Sequence, residues 1–169
     1  MSAKDEFFNK LQVNKNSTES RVQRVMADIK GFQLRMDELI EQISEWLNGS
    51  GIEVIPVPMV LNDETIVTMP SSEITALSRY GINKLKLSNA DKFATFTPIG
   101  VYGGEAKGWV ELIVSPNGIF NHNSLKFRLK YDDSTSAWFI RKEPQTLKNP
   151  VEQEIFTEEV FFKVISGLA

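Results

Sequence analysis

A regular 3-4 alternation of apolar residues between positions 22 and 46 constrains the fold of this sequence more than any other feature. This spacing is the a/d pattern of an amphipathic helix that buries one face. The residues of the stripe are Val22, Val25, Ile29, Phe32, Met36, Leu39, Ile43 and Trp46. Met26, Ile40 and Leu47 widen it at e positions, which favours a helix on a broad core over a narrow two-stranded seam.

The bounds of this helix follow from its flanking residues. We expect it to begin near Asn16 or Ser17, since Asn16 and Glu19 have capping-box spacing, and to end at Asn48-Gly49. A shorter helix over 3–12 and a turn at "NKNS" would precede it. A helix of about 30 residues is about 45 Å long. Part of it should therefore overhang the sheet and need cover from the first helix or from a second subunit.

From residue 51 the hydrophobic period changes to two, which is typical of strands. The predicted strands cover residues 52–61, 64–69, 83–88, 92–102, 108–114, 125–131 and 137–142, with a helical turn within 71–81. Short turns between consecutive strands indicate an antiparallel meander. Pro56 and Pro58 place the first strand at a sheet edge. Thr157 and the Phe156–Phe161 staple predict a C-terminal helix.

These elements predict the α+β class: an N-terminal helical segment, a twisted antiparallel sheet of five to seven strands, and a C-terminal helix packed on the sheet. A length of 169 residues and an apolar content of 41% suit one domain. Within 1–169 we expect a helical segment at 1–48, the sheet at 51–142 and the helix at 157–168. The segment 143–154 would link sheet to helix.

Composition excludes several classes of function. The absence of cysteine excludes disulfides, thiolate metal sites and a cysteine nucleophile. No apolar run approaches the roughly 20 residues needed to cross a bilayer. The first residues are polar and lack the apolar core of a signal peptide. We therefore expect a soluble, cytoplasmic protein without membrane contact.

The stretch "GVYGGEAKGW", residues 100–109, is rich in glycine around Lys107. A phosphate-binding P-loop needs Ser or Thr after the lysine and then a helix. Here Gly108 follows the lysine, and the next residues read as a strand. We interpret the stretch as a hairpin whose glycines adopt positive φ and whose Tyr102 and Trp109 face each other across the strands.

The remaining polar residues do not form a recognisable catalytic site. His122 is the only histidine and lies among turn-forming residues, so a histidine-rich zinc site is excluded. The acids of "NDE" at 62–64 and of Asp132-Asp133 are interpreted as turn formers. The sequence predicts no catalytic residue, metal or cofactor.

Cations alternate with apolar residues in two of the predicted strands. Lys126, Arg128 and Lys130 lie on one face of their strand, and Lys84 and Lys86 on one face of theirs. If these strands are close, the five cations form one strip with Lys107 at its end. Alternatively the face is simply solvated, or is covered by the long helix. The acids of that helix are Asp37, Glu38, Glu41 and Glu45.

These features favour a non-catalytic protein-binding module, of the bacterial immunity or antitoxin type, that occludes a toxin or other protein with an acidic contact surface. The predicted contact residues are Lys84, Lys86, Tyr102, Glu105, Lys107, Trp109, Lys126, Arg128 and Lys130. A net charge of −3 does not favour nucleic acid. Two alternatives stay open: an enzyme or small-molecule-binding domain with a pocket between sheet and helices, and a structural module that forms homo-oligomers through residues 22–46.

Overall fold

Seven antiparallel strands of the described residues form one sheet, and their order in the sheet is their order in the chain. The computed structural model describes residues 2–67, 71–116, 124–143 and 153–169. The strands are β1 (Glu53–Asn62), β2 (Arg79–Asn89), β3 (Lys92–Gly100), β4 (Trp109–Ser115), β5 (Leu125–Asp132), β6 (Ala137–Glu143) and β7 (Gln153–Ile155). The helices are α1 (Ala3–Trp46), α2 (Glu64–Val67), α3 (Ser72–Thr75) and α4 (Glu158–Val164), followed by a short 3-10 helix at Ser166–Leu168. The predicted α+β class and the antiparallel meander are confirmed.

The N-terminal segment is one continuous helix, so the predicted turn at "NKNS" and the cap at Asn16 or Ser17 are wrong. The helix is capped instead by Ser2, whose side chain accepts a hydrogen bond from the Asp5 amide. Polar residues such as Asn and Ser cost only a few tenths of a kcal/mol each inside a helix. The four polar residues of "NKNS" therefore do not interrupt a helix that continues on both sides of them. The predicted C-terminal stop is confirmed, since α1 ends at Trp46 and Gly49 adopts φ +82°.

The core lies between α1, α4 and one side of the sheet, here called the inner face. The apolar stripe of α1 packs on it, and Phe32, Met36 and Ile43 are fully buried. The inner face contributes residues such as Phe96 and Leu112, which are also fully buried. From Val25 to Ile43 the apolar stripe of α1 therefore packs against the sheet of the same chain.

The segment predicted as a strand at 64–69 contains α2, so that prediction is wrong. Asp63 starts the helix, because its side chain accepts the Thr65 amide and its carbonyl accepts the Ile66 amide. Ile66 is thereby placed in the core with no exposed surface. The local hydrogen bonds of an aspartate override the β-branched residues that indicated a strand.

The two ends of the sheet agree with the sequence in part. β1, with Pro56 and Pro58, is an edge strand as predicted. Thr157 caps α4 through the Val160 amide, and the Phe156 and Phe161 ring centres lie 6.0 Å apart, which confirms the staple. β7 lies beyond the predicted sheet range of 51–142. His122 and residues 144–152 of the predicted linker lie outside the described residues.

Candidate binding surface

The side of the sheet opposite the helices, here called the outer face, carries most of the predicted contact residues. Along each strand its side chains alternate with the buried ones, and those of the central strands are exposed or partly exposed. On β2 to β6 the outer face includes Lys84, Lys86, Phe93, Thr95, Thr97, Trp109, Glu111, Ile113, Lys126, Arg128, Lys130, Phe139, Arg141 and Glu143. Six of the nine predicted contact residues are therefore on one surface.

The five predicted cations form two rows rather than one strip. β2, with Lys84 and Lys86, is separated from β5 by β3 and β4. Three strand spacings amount to about 14 Å. Asp37 of α1 accepts a hydrogen bond from Asn83, whose side chain is on the inner face. Because α1 lies on that side of the sheet, its acids do not cover either row of cations. Of the two alternatives for this face, the structure therefore supports the one without a covering helix.

Two arginines of the outer face lie directly opposite each other. Arg128 on β5 is paired in register with Arg141 on β6, and Arg128 is also opposite Glu111 on β4. Arg141 is held in place, since its Nε donates to Glu143 at 3.0 Å and its guanidinium lies 4.9 Å from the Trp109 ring centre. Arg128 is exposed, and within the described ranges no side chain is hydrogen-bonded or ion-paired to it. One arginine is fixed and its neighbour is available.

Apolar and aromatic side chains lie next to these arginines. Trp109, Lys130, Phe139 and Ile155 form one row in register across four strands. Phe93 lies in another part of the face, with the Lys86 ammonium 5.6 Å from its ring centre. Sequence reasoning missed Arg141, Phe139 and Phe93. Phe139 and Arg141 are two residues apart and share one face of β6, as Lys126 and Arg128 share one face of β5. Only the strand pairing shows that they lie beside β5.

The loop at 101–108 joins β3 to β4, so the hairpin interpretation is confirmed. Its side chains point elsewhere than predicted. The Tyr102 hydroxyl donates to Asp28 of α1 at 2.6 Å, and the Lys107 ammonium lies 3.2 Å from the same carboxylate. Trp109 points to the outer face, so the predicted facing of Tyr102 and Trp109 is wrong. Burial and the hydrogen bond to Asp28 raise the pKa of Tyr102.

Tyr102 and Lys107 therefore fasten the loop to α1, whereas Glu105 is exposed at the tip. Backbone conformation explains one glycine of this loop, and close packing explains another. Gly104 adopts φ +57°. Gly100 and Gly103 do not have positive φ, so the prediction is wrong for them. A side chain at Gly103 would collide with the Trp109 indole. Close packing, rather than backbone conformation, explains that glycine.

Asp63 is a fully buried carboxylate, and its interpretation as a turn former was too simple. It accepts hydrogen bonds from the Tyr80 hydroxyl at 2.6 Å, the Val101 amide at 2.9 Å and the Thr65 amide at 3.0 Å. The Thr65 hydroxyl donates to it as well. Burial, followed by the hydrogen bond to Asp63, raises the pKa of Tyr80. Asp63 thus joins the end of β1 to α2, β2 and the loop after β3.

The other predicted acidic turn is confirmed. Asp132 accepts hydrogen bonds from the Ser134 amide at 3.1 Å and the Ser134 hydroxyl at 2.8 Å. These bonds, the hydroxyl first, lower the pKa of Asp132. Asp133 pairs with Arg35 of α1 at 2.8 Å.

Among the grooves of the described residues, two lie between a helix and the sheet. One, of about 640 Å³, lies between β5, β6, β7 and α4 and is lined by Phe127, Ile140 and Val164. The other, of about 450 Å³, lies between α1 and the α3–β2 segment and is lined by Met26, Ala27 and Leu77. Neither is lined by Asp63. Across the described ranges, no three His, Cys, Asp or Glu residues are grouped closely enough to hold a metal ion.

No helix in the described part of the chain has the length and apolar content needed to cross a bilayer. The chain matches no protein-family model, and no curated protein or solved structure is significantly similar to it.

Proposed function

We propose that this chain is a non-catalytic protein-binding module whose outer face binds an acidic surface of a partner protein. The observation that carries the proposal is the opposed pair of Arg128 and Arg141. Like charges at directly opposite positions of neighbouring strands destabilise a sheet. Glu143 pairs with Arg141, and Glu111 lies opposite Arg128 on its other side, so these carboxylates offset part of the repulsion. A carboxylate on a partner would offset the remainder, because the exposed Arg128 guanidinium can donate two parallel hydrogen bonds to it.

The surroundings of the arginine pair support a protein interface. Trp109 and Phe139 are partly exposed beside it, and tryptophan and arginine are the residues most enriched among binding hot spots. Lys84 and Lys86 form a second basic row about 14 Å away, at three strand spacings. Complementary charge of this extent speeds association and selects acidic partners more than it adds affinity.

The alternative of a pocket between sheet and helices receives less support. The inner face is packed against α1 and α4 by fully buried side chains such as Phe96 and Phe161. The groove of about 640 Å³ between the sheet and α4 is not lined by the buried carboxylate. Asp63, the buried carboxylate, already accepts hydrogen bonds from Tyr80, Val101 and Thr65. It therefore has a structural task within the chain.

Within the class of binding modules, the bacterial immunity or antitoxin type remains a prediction from the sequence. In that form the outer face would cover the active site or substrate groove of a cognate toxin. The cytoplasmic location belongs to the same prediction. Identification of the partner would test both predictions.

The proposal is tested by co-purification from the native host with wild-type protein and two charge-reversal variants. Arg128→Glu changes the outer face, and Lys163→Glu makes the same charge change on α4, where the side chain is largely exposed. We expect a stoichiometric protein partner with wild type and with Lys163→Glu, and its loss with Arg128→Glu. Unchanged circular dichroism would show that both variants fold. The absence of a partner at low and moderate salt, or a partner that Arg128→Glu retains, contradicts the proposal.

A second candidate function is binding of single-stranded nucleic acid, favoured by one specific observation. Phe93, Trp109 and Phe139 lie among the cations of the outer face, and such surfaces combine cations with rings on which bases stack. Fluorescence anisotropy with a labelled single-stranded oligonucleotide distinguishes the two candidates. Salt-sensitive binding that Arg128→Glu weakens would support nucleic acid, whereas no binding at low salt would remove this candidate.

A further inference from the structure

The first turns of α1 carry an apolar patch that contacts nothing else in the described structure. The side chains of residues 2–17 are all exposed. Phe7, Phe8 and Leu11 retain 60%, 53% and 50% of their accessible surface. Phe8 and Leu11 continue the 3-4 spacing of the core stripe, through Lys15 and Thr18, to Val22. The face of α1 that packs on the sheet therefore continues beyond the sheet. The segment of α1 that carries the apolar patch, residues 3–19, is here called the arm.

A groove on the same helix offers a matching apolar surface. It lies between α1 and the α3–β2 segment and is lined by Met26, Ala27 and Leu77. Met26 retains 46% of its accessible surface. Phe8 and Met26 are 18 residues apart, which is about 27 Å along a helix. An arm cannot fold back into the groove of its own chain, since both belong to one continuous helix.

We propose that the arm docks into this groove on a second copy of the chain, so that two α1 helices run antiparallel and exchange arms. A two-fold axis near residue 17 places Phe8 of each copy at the level of Met26 in the other. The contact is then isologous, since each copy supplies one arm and one groove. Both apolar surfaces are covered by the same operation.

Charge at the crossing point supports this occupant. The same two-fold axis places Lys15 of each copy at the level of Glu19 in the other. Glu73 of α3 adds a second acid, because it lines a shallow depression together with Lys15 and Glu19. Lys15 of each copy lies beside Glu19 and Glu73 of its own chain, and the crossing adds Glu19 of the other copy. Opposite charges at the centre of an antiparallel pair favour this register.

The size of the contact predicts a weak dimer. Full burial of an aromatic side chain covers about 150–250 Å², and each arm offers two half-exposed rings. The two arms and grooves together reach on the order of 1,000 Å², the lower limit of specific interfaces. We expect a dimer that dissociates on dilution within the micromolar range. This self-association is independent of the outer face.

Sedimentation velocity across a dilution series tests the proposal. We expect wild type to approach the dimer mass at the highest concentration and to dissociate on dilution, in keeping with the small interface. Phe8→Ser should raise the dimer dissociation constant about tenfold or more, as for an interface hot spot. Val13→Ser is the matched control, because Val13 is 65% exposed but lies off the patch. Arg128→Glu should leave the dimer intact. A monomer throughout, or equal effects of the two serine variants, overturns the proposal.

The antiparallel arrangement has its own test. Since the chain has no cysteine, a single cysteine at Ser17 or at Lys10 carries one spin label per copy. Antiparallel arms give a short label–label distance at 17 and, at 10, an axial separation of about 21 Å at 1.5 Å per residue. Equal short distances at both positions would show a parallel pair and overturn the proposed exchange.

Discussion

The hydroxyl of Tyr80 and the carboxylate of Asp63 form a partly buried hydrogen bond of 2.6 Å that joins the start of β2 to the end of β1. The same carboxylate oxygen accepts the Val101 amide from the loop after β3. One side chain thus fastens three segments that are far apart in the sequence. The hydrogen bonds of Asp63 add to the β1–β2 pairing, which ends at Asn62 and Arg79.

Asp63→Ala should lower the free energy of unfolding by about 2–4 kcal/mol, because a fully buried donor left without an acceptor costs about 1–3 kcal/mol and a partly buried donor costs less. The Val101 amide is the buried donor, and the Tyr80 hydroxyl, the Thr65 amide and the Thr65 hydroxyl are the partly buried ones. Urea denaturation measures the change. Glu64→Gln, at the exposed neighbouring residue, is the control and should be nearly neutral. A loss below about 1 kcal/mol for Asp63→Ala would mean that water replaces the carboxylate.

The raised pKa values of Tyr80 and Tyr102 predict a loss of stability in alkali. Burial and hydrogen bonds to carboxylates keep both phenols protonated in the folded state above their ordinary value of 10.0. Above about pH 10 the unfolded chain releases these protons and the folded chain does not, so the free energy of unfolding falls as pH rises. Below that pH these groups contribute no slope.

Urea denaturation between pH 8 and pH 11.5 measures this slope, and phenolate absorbance at 295 nm reports the ionisation directly. Tyr80→Phe should flatten the fall above about pH 10 relative to wild type. If Tyr80 instead ionised in the folded protein, the difference in absorbance between wild type and Tyr80→Phe would rise before unfolding begins, and the slope would be equal in both proteins.

The roles of the acidic residues show where sequence reasoning reaches its limit. Asp132 is correctly predicted as a turn former, because its partner Ser134 is two residues away. Asp63 looks similar in the sequence, but Tyr80 and Val101 are 17 and 38 residues distant. A carboxylate's local preference can be predicted from its neighbours. Its burial depends on tertiary packing, which the local pattern does not contain.

The outer face likewise has one property that the sequence predicts and another that depends on the tertiary structure. Period-two alternation correctly predicts that Lys126, Arg128 and Lys130 share one face of β5. It does not reveal that β3 and β4 separate them from Lys84, or that Arg141 lies opposite Arg128. Alternation fixes the face of a side chain within its strand, whereas its neighbours depend on strand order and register.

Gly108 lies between the loop and β4, and its size is required by a contact with α1. A Cβ atom there would lie 2.6 Å from the ring of Phe32, which is fully buried. Gly108→Ala should therefore lower the free energy of unfolding by about 1–3 kcal/mol, the usual cost of overpacking a core. Gly81 is the matched control, because the nearest atom to a Cβ there is the Met59 carbonyl oxygen at 3.9 Å. Gly81→Ala should be neutral or stabilise by up to about 1 kcal/mol, since alanine loses less backbone entropy on folding. Thermal and urea denaturation of both variants measure this difference in sign, and equal effects would show that Phe32 moves aside at no cost.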